Sequence, residues 1–303
     1  MIKKHKQLTD KIVFAGGIWL WAGTLPDYRH TLVSTNAGLN VCKREGIKDV
    51  YATMWGDDGC ETDVMFSLPG CVLYGEHSYN AEISEEETDK KLMLLFGFKY
   101  SDIEDISTAL YPLGKSYNQD KPSISVKQII YNDILCGLAD YEMKENDFSG
   151  LYGELAAKYE KLAENEGPLS EHLSYVAAVC RVAGLRMELV NKLYKGYEKD
   201  KTLLSEAAHE LLPELSVEYS KLKEIHYSLW HKSYRPFGFE IADTRYGGKI
   251  ERIKTAIKRI DDYLEGRIDS LPELSEERIP FVGQMSIGGW YAGVSSAFLI
   301  KGY

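Results

Sequence analysis

The chain has 303 residues, 44% of them hydrophobic and 27% charged, with a formal net charge of −10 and a sequence pI of about 5.3. This composition is typical of a folded globular protein, and the length supports two domains or one large domain. Because nucleic acid and anionic membrane surfaces attract basic proteins, the acidic balance argues against both as partners.

Compartment signals point to the cytoplasm. The basic N-terminus is not followed by the apolar stretch of a secretory signal, and no apolar run approaches the ~18–20 residues of a membrane span. The five cysteines lack CxxC spacing, which suits buried free thiols in a reducing compartment. We therefore predict a cytoplasmic protein with five unpaired cysteines, which are Cys42, Cys60, Cys71, Cys136 and Cys180.

The first elements in chain order predict a β-α-β unit. Apolar, β-type runs cover residues 12–21 and 49–55, and residues 31–45 between them have an apolar helical face. Continuous apolar runs indicate strands buried on both faces, and parallel strands are joined by a helix. Both runs end in tryptophan, glycine and polar residues, at the end of the strand where ligands bind in α/β folds.

Two further helices are predicted before the middle of the chain. The first covers residues 62–76, where we expect Pro69 to interrupt or reset the helix. The second covers residues 82–98, with Ser84 as its N-cap and acidic residues complementing the helix dipole in its first turn.

A domain boundary is predicted where prolines and glycines interrupt residues 100–123, and we assign residues 1–105 and 106–303 to separate domains. Apolar residues then recur every three to four positions, which predicts an antiparallel helical bundle over about 125–270. The tail, 281–303, is rich in glycine, serine and aromatic residues, and we expect a strand or an extended arm.

The pentapeptide WGDDG after the second predicted strand is the most informative candidate site. The face of Trp55 suits stacking of a sugar ring, and Asp57, two residues on, points to the same side and accepts hydrogen bonds from sugar hydroxyls. The alternative is that Trp55 belongs to the core and Asp57 and Asp58 cap the following helix. A third interpretation is a cation site, although the acidic spacing does not match a calcium loop; its ligands would be Asp57, Asp58, Glu61 and Asp63.

The first predicted strand ends in Trp19 and Trp21, two positions apart and therefore on one face. We predict that one lines a pocket, and for the other a core role is an equal alternative. His30 follows in a predicted loop, either at the pocket rim or in solvent.

The sequence HELLP from His209 to Pro213 has proline where a zinc protease has its second histidine. We predict no metal site and no cofactor.

These stretches resemble glycoside hydrolase family 20. FAGGIWLWAG, a helix and a strand ending in TMWGDDGCET are similar to the last two β/α units of its catalytic barrel. The resemblance is to the bacterial exo-β-N-acetylhexosaminidase branch with a helical C-terminal domain, and it extends to YNDILCGLAD, RPFGFEIADTRYGGKIERI and YLEGRIDSLPEL. It covers most of the chain, although the WGD stretch is its one specific motif.

The resemblance implies a (β/α)8 barrel that removes terminal β-linked N-acetylglucosamine or N-acetylgalactosamine. The acetamido group of the substrate acts as the nucleophile, an exception to the usual pair of carboxylates. An adjacent Asp-Glu pair after the fourth strand does the chemistry in that family, and this sequence contains no Asp-Glu dipeptide. We therefore expect no catalytic residue here, and a chain that lacks the first six barrel units and is inactive alone.

The resemblance also gives roles to four residues. Trp55 would form the wall behind the sugar, and Asp57, where many relatives have glutamate, would hold the ring hydroxyls. Trp19 and Trp21 would extend the wall near the acetamide. The implied partner is an amino-sugar-terminated oligosaccharide.

The expected fold class is therefore α/β, a partial (β/α)8 barrel of two units, followed by an all-α helical bundle. Its first strand would expose an unpaired edge, so we expect the β/α units to be loosely packed or to form a homodimer. The alternative function is a non-catalytic helical interaction module with an appended β/α lid. That alternative predicts Trp55 in the core with no cleft beside it.

Overall fold

The computed structural model describes residues 2–21, 23–57, 59–114 and 124–280. Within these ranges the chain divides into two compact units. The first contains the residues up to Ser107 together with Asn165–Ser170, and the second contains the remainder. The predicted tail, 281–303, lies outside the described residues.

The first unit contains the predicted β-α-β unit. A short helix α1 precedes strand β1, helix α2 and strand β2, and the two strands pair in parallel with Gly17 opposite Thr53. Both strands are shorter than predicted, so the tryptophans lie beyond the strand ends. The bounds are Ile2–His5 for α1, Val13–Gly17 for β1, Tyr28–Glu45 for α2 and Asp49–Thr53 for β2.

The strands are not buried on both faces, which corrects the prediction from their apolar runs. Phe14 of β1 lies against Gly38 of α2, where a side chain on the glycine would be within 2.7 Å of the ring. On the opposite face, Val13 is 48% exposed and Tyr51 is 64% exposed. In the described residues the sheet has only two strands, so a face that the sequence predicts to be buried is exposed in the structure.

Of the next two helices of the first unit, the second has the predicted Ser84 cap, whereas the first begins at Leu68 and not at residue 62. A 3₁₀ turn, Val64–Ser67, leads into α3, Leu68–Tyr79. Pro69 lies in the first turn of α3, where backbone N–H groups have no hydrogen-bond partner within the helix, so the N–H that proline lacks is not needed there. Helix α4, Glu85–Phe96, is capped by Ser84, whose hydroxyl accepts a hydrogen bond from the Glu87 backbone N–H at 3.3 Å.

We expect Ser84→Ala to lower the free energy of unfolding of the first unit by about 1 kcal/mol, because the first turn of α4 loses its acceptor. Ser84→Gly is the matched control. Glycine also lacks the hydroxyl but is tolerated at the cap, so its expected cost is only a few tenths of a kcal/mol. Urea denaturation of both variants measures the difference, and equal costs would contradict the capping role.

In the described residues, all regular elements of the second unit are helices, as predicted for a helical C-terminal domain. The apolar stripe of its longest helix is buried, including Val176, Ala183 and Val190. A π-helical segment, Ala207–Leu211, precedes the helix that carries Pro213 in its first turn. The long helices are α9, Ser149–Ala163; α10, Ser170–Glu198; α12, Leu212–Ser233; and α13, Phe239–Leu264.

Seven shorter helices complete the described chain. None of the helices in the described ranges has the length and apolar character needed to cross a membrane. The short helices are α5, Tyr100–Ile103; α6, Ile106–Leu110; α7, Val126–Tyr131; α8, Asp140–Glu145; α11, Lys201–Glu206; and α14, Pro272–Ser275, in addition to α1.

The five cysteines are free thiols. Cys42, Cys136 and Cys180 are buried as predicted, whereas Cys60 and Cys71 are only half-buried. Burial raises the pKa of the Cys42, Cys60, Cys71 and Cys136 thiols, which disfavours the reactive thiolate.

Candidate functional site

The chain leaving β1 is fixed on the first turn of α2. The Trp19 backbone N–H donates to the Thr31 hydroxyl at 2.9 Å, and that hydroxyl donates to the Asp27 carbonyl at 2.9 Å. The Asp27 backbone N–H donates in turn to the Trp19 carbonyl at 2.9 Å. The two backbone groups of Trp19 are therefore both held by the residues that start α2.

The side chains of this segment form an aromatic cluster. The Trp19 and Trp21 rings stack with centroids 4.3 Å apart and planes at 29°. His30 meets Trp19 edge-on, with centroids 3.9 Å apart and planes at 64°. The prediction that His30 lies in a loop is wrong. His30 lies in the first turn of α2, where its backbone N–H donates to the Asp27 carboxylate.

The Trp21 ring covers the C-terminal end of β1. A Cβ atom on Gly17 would lie 2.4 Å from Cη2 of Trp21, so only glycine leaves room for the ring. Gly17 is paired with Thr53 of β2, and paired residues of neighbouring strands point to the same face of a sheet. The Trp21 ring therefore lies on the same face as the Thr53 side chain, the open face that also carries Val13 and Tyr51.

Trp55 lies at the end of β2 and is not part of the core. Its ring is 58% exposed, and its Nε1–H donates to the Thr53 hydroxyl at 3.1 Å. That hydroxyl donates to the Gly16 carbonyl of β1 at 3.2 Å. Thr53 thus ties Trp55 to β1, and the indoles of Trp55 and Trp21 share the open face at the C-terminal edge of the sheet.

Asp57 follows in an exposed turn. Cys60 has a left-handed φ of 52°, and its thiol donates to the Gly56 carbonyl at 3.1 Å. Burial, and secondarily the charge of Asp57, raises the pKa of the Cys60 thiol. Asp63 is the residue that caps the following 3₁₀ turn, through a 2.8 Å hydrogen bond from the Met65 N–H. Asp57 therefore presents its carboxylate at the surface and caps no helix.

The cation-site interpretation gains no support from this geometry. Glu61 and Asp63 are buried whereas Asp57 is exposed, and Asp58 lies outside the described residues. Among the residues described by the structure, no group of three or more histidine, cysteine, aspartate or glutamate side chains is arranged to hold a metal ion.

The residues that position this site are missing from the predictions made from the sequence. Asp27, Thr31 and Thr53 hold the tryptophan-bearing segments but carry no motif of their own. A signal for Asp27 is present, because an aspartate immediately before the first residue of an amphipathic helix is a common N-cap pattern. Recognising it would have started α2 at Tyr28 and placed His30 and Thr31 on its first turn.

No curated protein matches the chain. Residues 105–289 match the family described as the Glycoside Hydrolase 20C C-terminal domain, which confirms the resemblance to glycoside hydrolase family 20. The match does not include Trp19, Trp21, Trp55 or Asp57. Because it covers more than half of the sequence, the chain belongs to the Glycoside Hydrolase 20C C-terminal domain family.

Proposed function

We propose that this chain is the C-terminal part of an exo-acting glycoside hydrolase that removes terminal β-linked N-acetylglucosamine or N-acetylgalactosamine. Its family membership makes it a glycoside hydrolase-related module. The observation that carries the finer proposal is the exposed Trp55 indole at the end of β2, on the same sheet face as the Trp21 ring at the end of β1.

Each of the four residues has a role in this proposal. The exposed Trp55 ring forms the wall on which the pyranose C–H face packs, and the exposed Asp57 carboxylate accepts hydrogen bonds from the sugar hydroxyls. The stacked rings of Trp19 and Trp21 extend the apolar wall to the acetamido methyl group. Aromatic walls with a few placed polar groups are the usual composition of small-ligand sites.

We also propose that the first unit supplies the last two β/α units of a (β/α)8 barrel, with domains at 1–105 and 106–303. A groove of about 700 Å³ beside β1 supports this assignment. Its walls are mainly apolar, and Val13 beside it is exposed. A preceding β/α unit would cover such a groove, because its strand would lie beside β1, which pairs only with β2 in the described residues. The groove is lined by Ile12, Val13, Phe14, Ala37, Val41 and Ile47, among others.

Catalysis would depend on sequence beyond these 303 residues. No Asp-Glu dipeptide is present to act as general acid/base and to orient the acetamide, so we expect the isolated chain to be inactive. The proposed substrate is an amino-sugar-terminated oligosaccharide. Because its own acetamide is the nucleophile, the proposed reaction needs no cofactor. We place the enzyme in the cytoplasm, and a homodimer through the groove is the alternative to covering it with a preceding barrel unit.

The test is hydrolysis of chromogenic β-N-acetylglucosaminide and β-N-acetylgalactosaminide by two proteins. One is this chain, and the other is this chain extended upstream by the missing barrel units. We expect hydrolysis by the extended protein only. Activity in neither would favour the non-catalytic helical module, whose prediction of a buried Trp55 does not agree with the 58% exposure of that ring.

In the extended protein, we expect Trp55→Ala to lower kcat/KM by roughly 30-fold or more, the equivalent of losing about 2 kcal/mol of aromatic contact. Tyr79→Ala is the matched control, since Tyr79 is also an exposed aromatic residue of the first unit, at 92%, and lies at the end of α3. The measurement is steady-state kinetics on the N-acetylglucosaminide. Equal activity of the two variants would show that Trp55 does not contribute to sugar binding.

A further inference from the structure

We infer that His30 is a positioning residue for the sugar wall, where its imidazole fixes the orientation of the Trp19 indole. This inference rests on the proposed function. The His30 and Trp19 rings are closer, at 3.9 Å between centroids, than the stacked rings of Trp19 and Trp21, at 4.3 Å. The Trp19 indole therefore has two aromatic neighbours, one nearly parallel to its plane and one at a steep angle to it.

The backbone of Trp19 is fixed independently of this ring contact. Thr31 and Asp27 hold its N–H and carbonyl, whereas the two side-chain torsions depend on what the indole ring contacts. A half-buried indole with free torsions would have to be ordered when a sugar binds, which weakens binding. Contact with His30 orders the Trp19 ring before a sugar binds.

His30 is itself held in place by the start of α2. Its backbone N–H donates to the Asp27 carboxylate at 3.1 Å, and its carbonyl accepts from the Ser34 hydroxyl at 2.7 Å. One helical turn therefore fixes both the backbone of Trp19 and the residue that contacts its ring. Since these bonds use only the backbone of His30, replacing its side chain leaves the helix cap intact. The effect of a substitution can then be attributed to the His30 side chain and not to the helix cap.

The ring contact has a spectroscopic signature in the 303-residue chain. Stacked indoles couple electronically and produce an exciton couplet in far-ultraviolet circular dichroism, and Trp21→Phe identifies the part that comes from Trp19 and Trp21. We expect His30→Ala to remove most of this couplet, because the Trp19 ring is no longer held in one orientation. We expect His30→Phe to retain it, because phenylalanine preserves an aromatic edge. A wild-type couplet in His30→Ala would overturn the inference.

Binding then tests the role of that orientation. Methyl β-N-acetylglucosaminide is titrated by calorimetry into the wild-type 303-residue chain and into its His30→Ala and His30→Phe variants. We expect Kd to rise roughly fivefold in His30→Ala and to stay near the wild-type value in His30→Phe. Unchanged affinity in His30→Ala, with the couplet lost, would overturn the role in sugar binding. Absence of binding in the wild type would count against the proposed function, and the couplet would still decide whether His30 positions Trp19.

Discussion

Arg186→Met is expected to lower the free energy of unfolding of the second unit by about 3 kcal/mol or more. Arg186 is fully buried in α10. Its Nη2 donates to the carbonyls of Asn132 at 3.1 Å and Asp133 at 2.7 Å, and its Nε donates to the carbonyl of Ile129 at 3.4 Å. The guanidinium therefore donates its hydrogen bonds to the backbone of another segment of the chain, residues 129–133.

Those carbonyls lie in the last turn of α7 and just beyond it. The last four carbonyls of a helix have no partner within the helix and carry the negative end of its dipole. A buried cation is a suitable partner for them, and Arg186 supplies several donors from one side chain. Methionine fills a similar volume without donors, so the Ile129 and Asp133 carbonyls lose the Arg186 hydrogen bonds, each at a cost of about 1–3 kcal/mol. The Asn132 carbonyl keeps its hydrogen bond from Lys249.

The matched control is Arg181→Met on the same helix. The guanidinium of Arg181 bonds Glu160 at the surface, with roughly half of its side chain in solvent. Exposed ion pairs contribute little, so we expect a change below about 1 kcal/mol. Urea denaturation followed by circular dichroism measures both variants. A loss in Arg186→Met no larger than that in Arg181→Met would contradict the capping role of Arg186.

Local patterns in the sequence predicted most of the fold. The apolar repeat that contains Val176, Ala183 and Val190 indicated the helix that the structure shows as α10, and Ser84 was predicted as a cap from the residues beside it. Parallel pairing of β1 and β2 followed from two β-type runs separated by a helical one. These features depend on residues a few positions apart, which is the range over which periodicity and capping act.

The remaining features depend on contacts between distant residues. Arg186 lies on a helix whose apolar stripe predicts burial, but its partners are more than 50 positions away in the sequence. The exposure of Trp55 depends on how many strands flank β2, and its sequence neighbourhood fits a core residue equally well. The contact of His30 with Trp19 requires the start of α2 to return to the end of β1, which no local pattern encodes.

The last prediction concerns Lys249 of α13, which is buried beside the same carbonyls. Its ammonium donates to the Asn132 carbonyl at 3.0 Å. Burial, followed by the positive charge of Arg186, lowers the pKa of Lys249 to about 7, against the partial opposition of Asp133. In the unfolded chain a lysine has its ordinary pKa of about 10.4.

The sign of the pH dependence follows from this difference. Below pH ~7 both states carry the proton, and the folded state bears the full cost of a buried charge. Between pH ~7 and ~10.4 the folded state has lost a proton that the unfolded state keeps, so the free energy of unfolding rises with pH. The expected slope approaches about 1.4 kcal/mol per pH unit in that window.

Urea denaturation at several values between pH ~7 and ~8 tests this slope, a window below the ordinary thiol pKa of about 8.5 that the cysteines have in the unfolded chain. We expect Lys249→Met to remove the rise, since methionine cannot titrate. Lys254→Met, which changes an exposed lysine on the same helix, should keep it. A rise of equal size in the wild type and in Lys249→Met would assign the titration to another group. It would also mean that the Lys249 ammonium keeps its proton in the folded chain, held by the Asn132 carbonyl and Asp133 against the repulsion of Arg186.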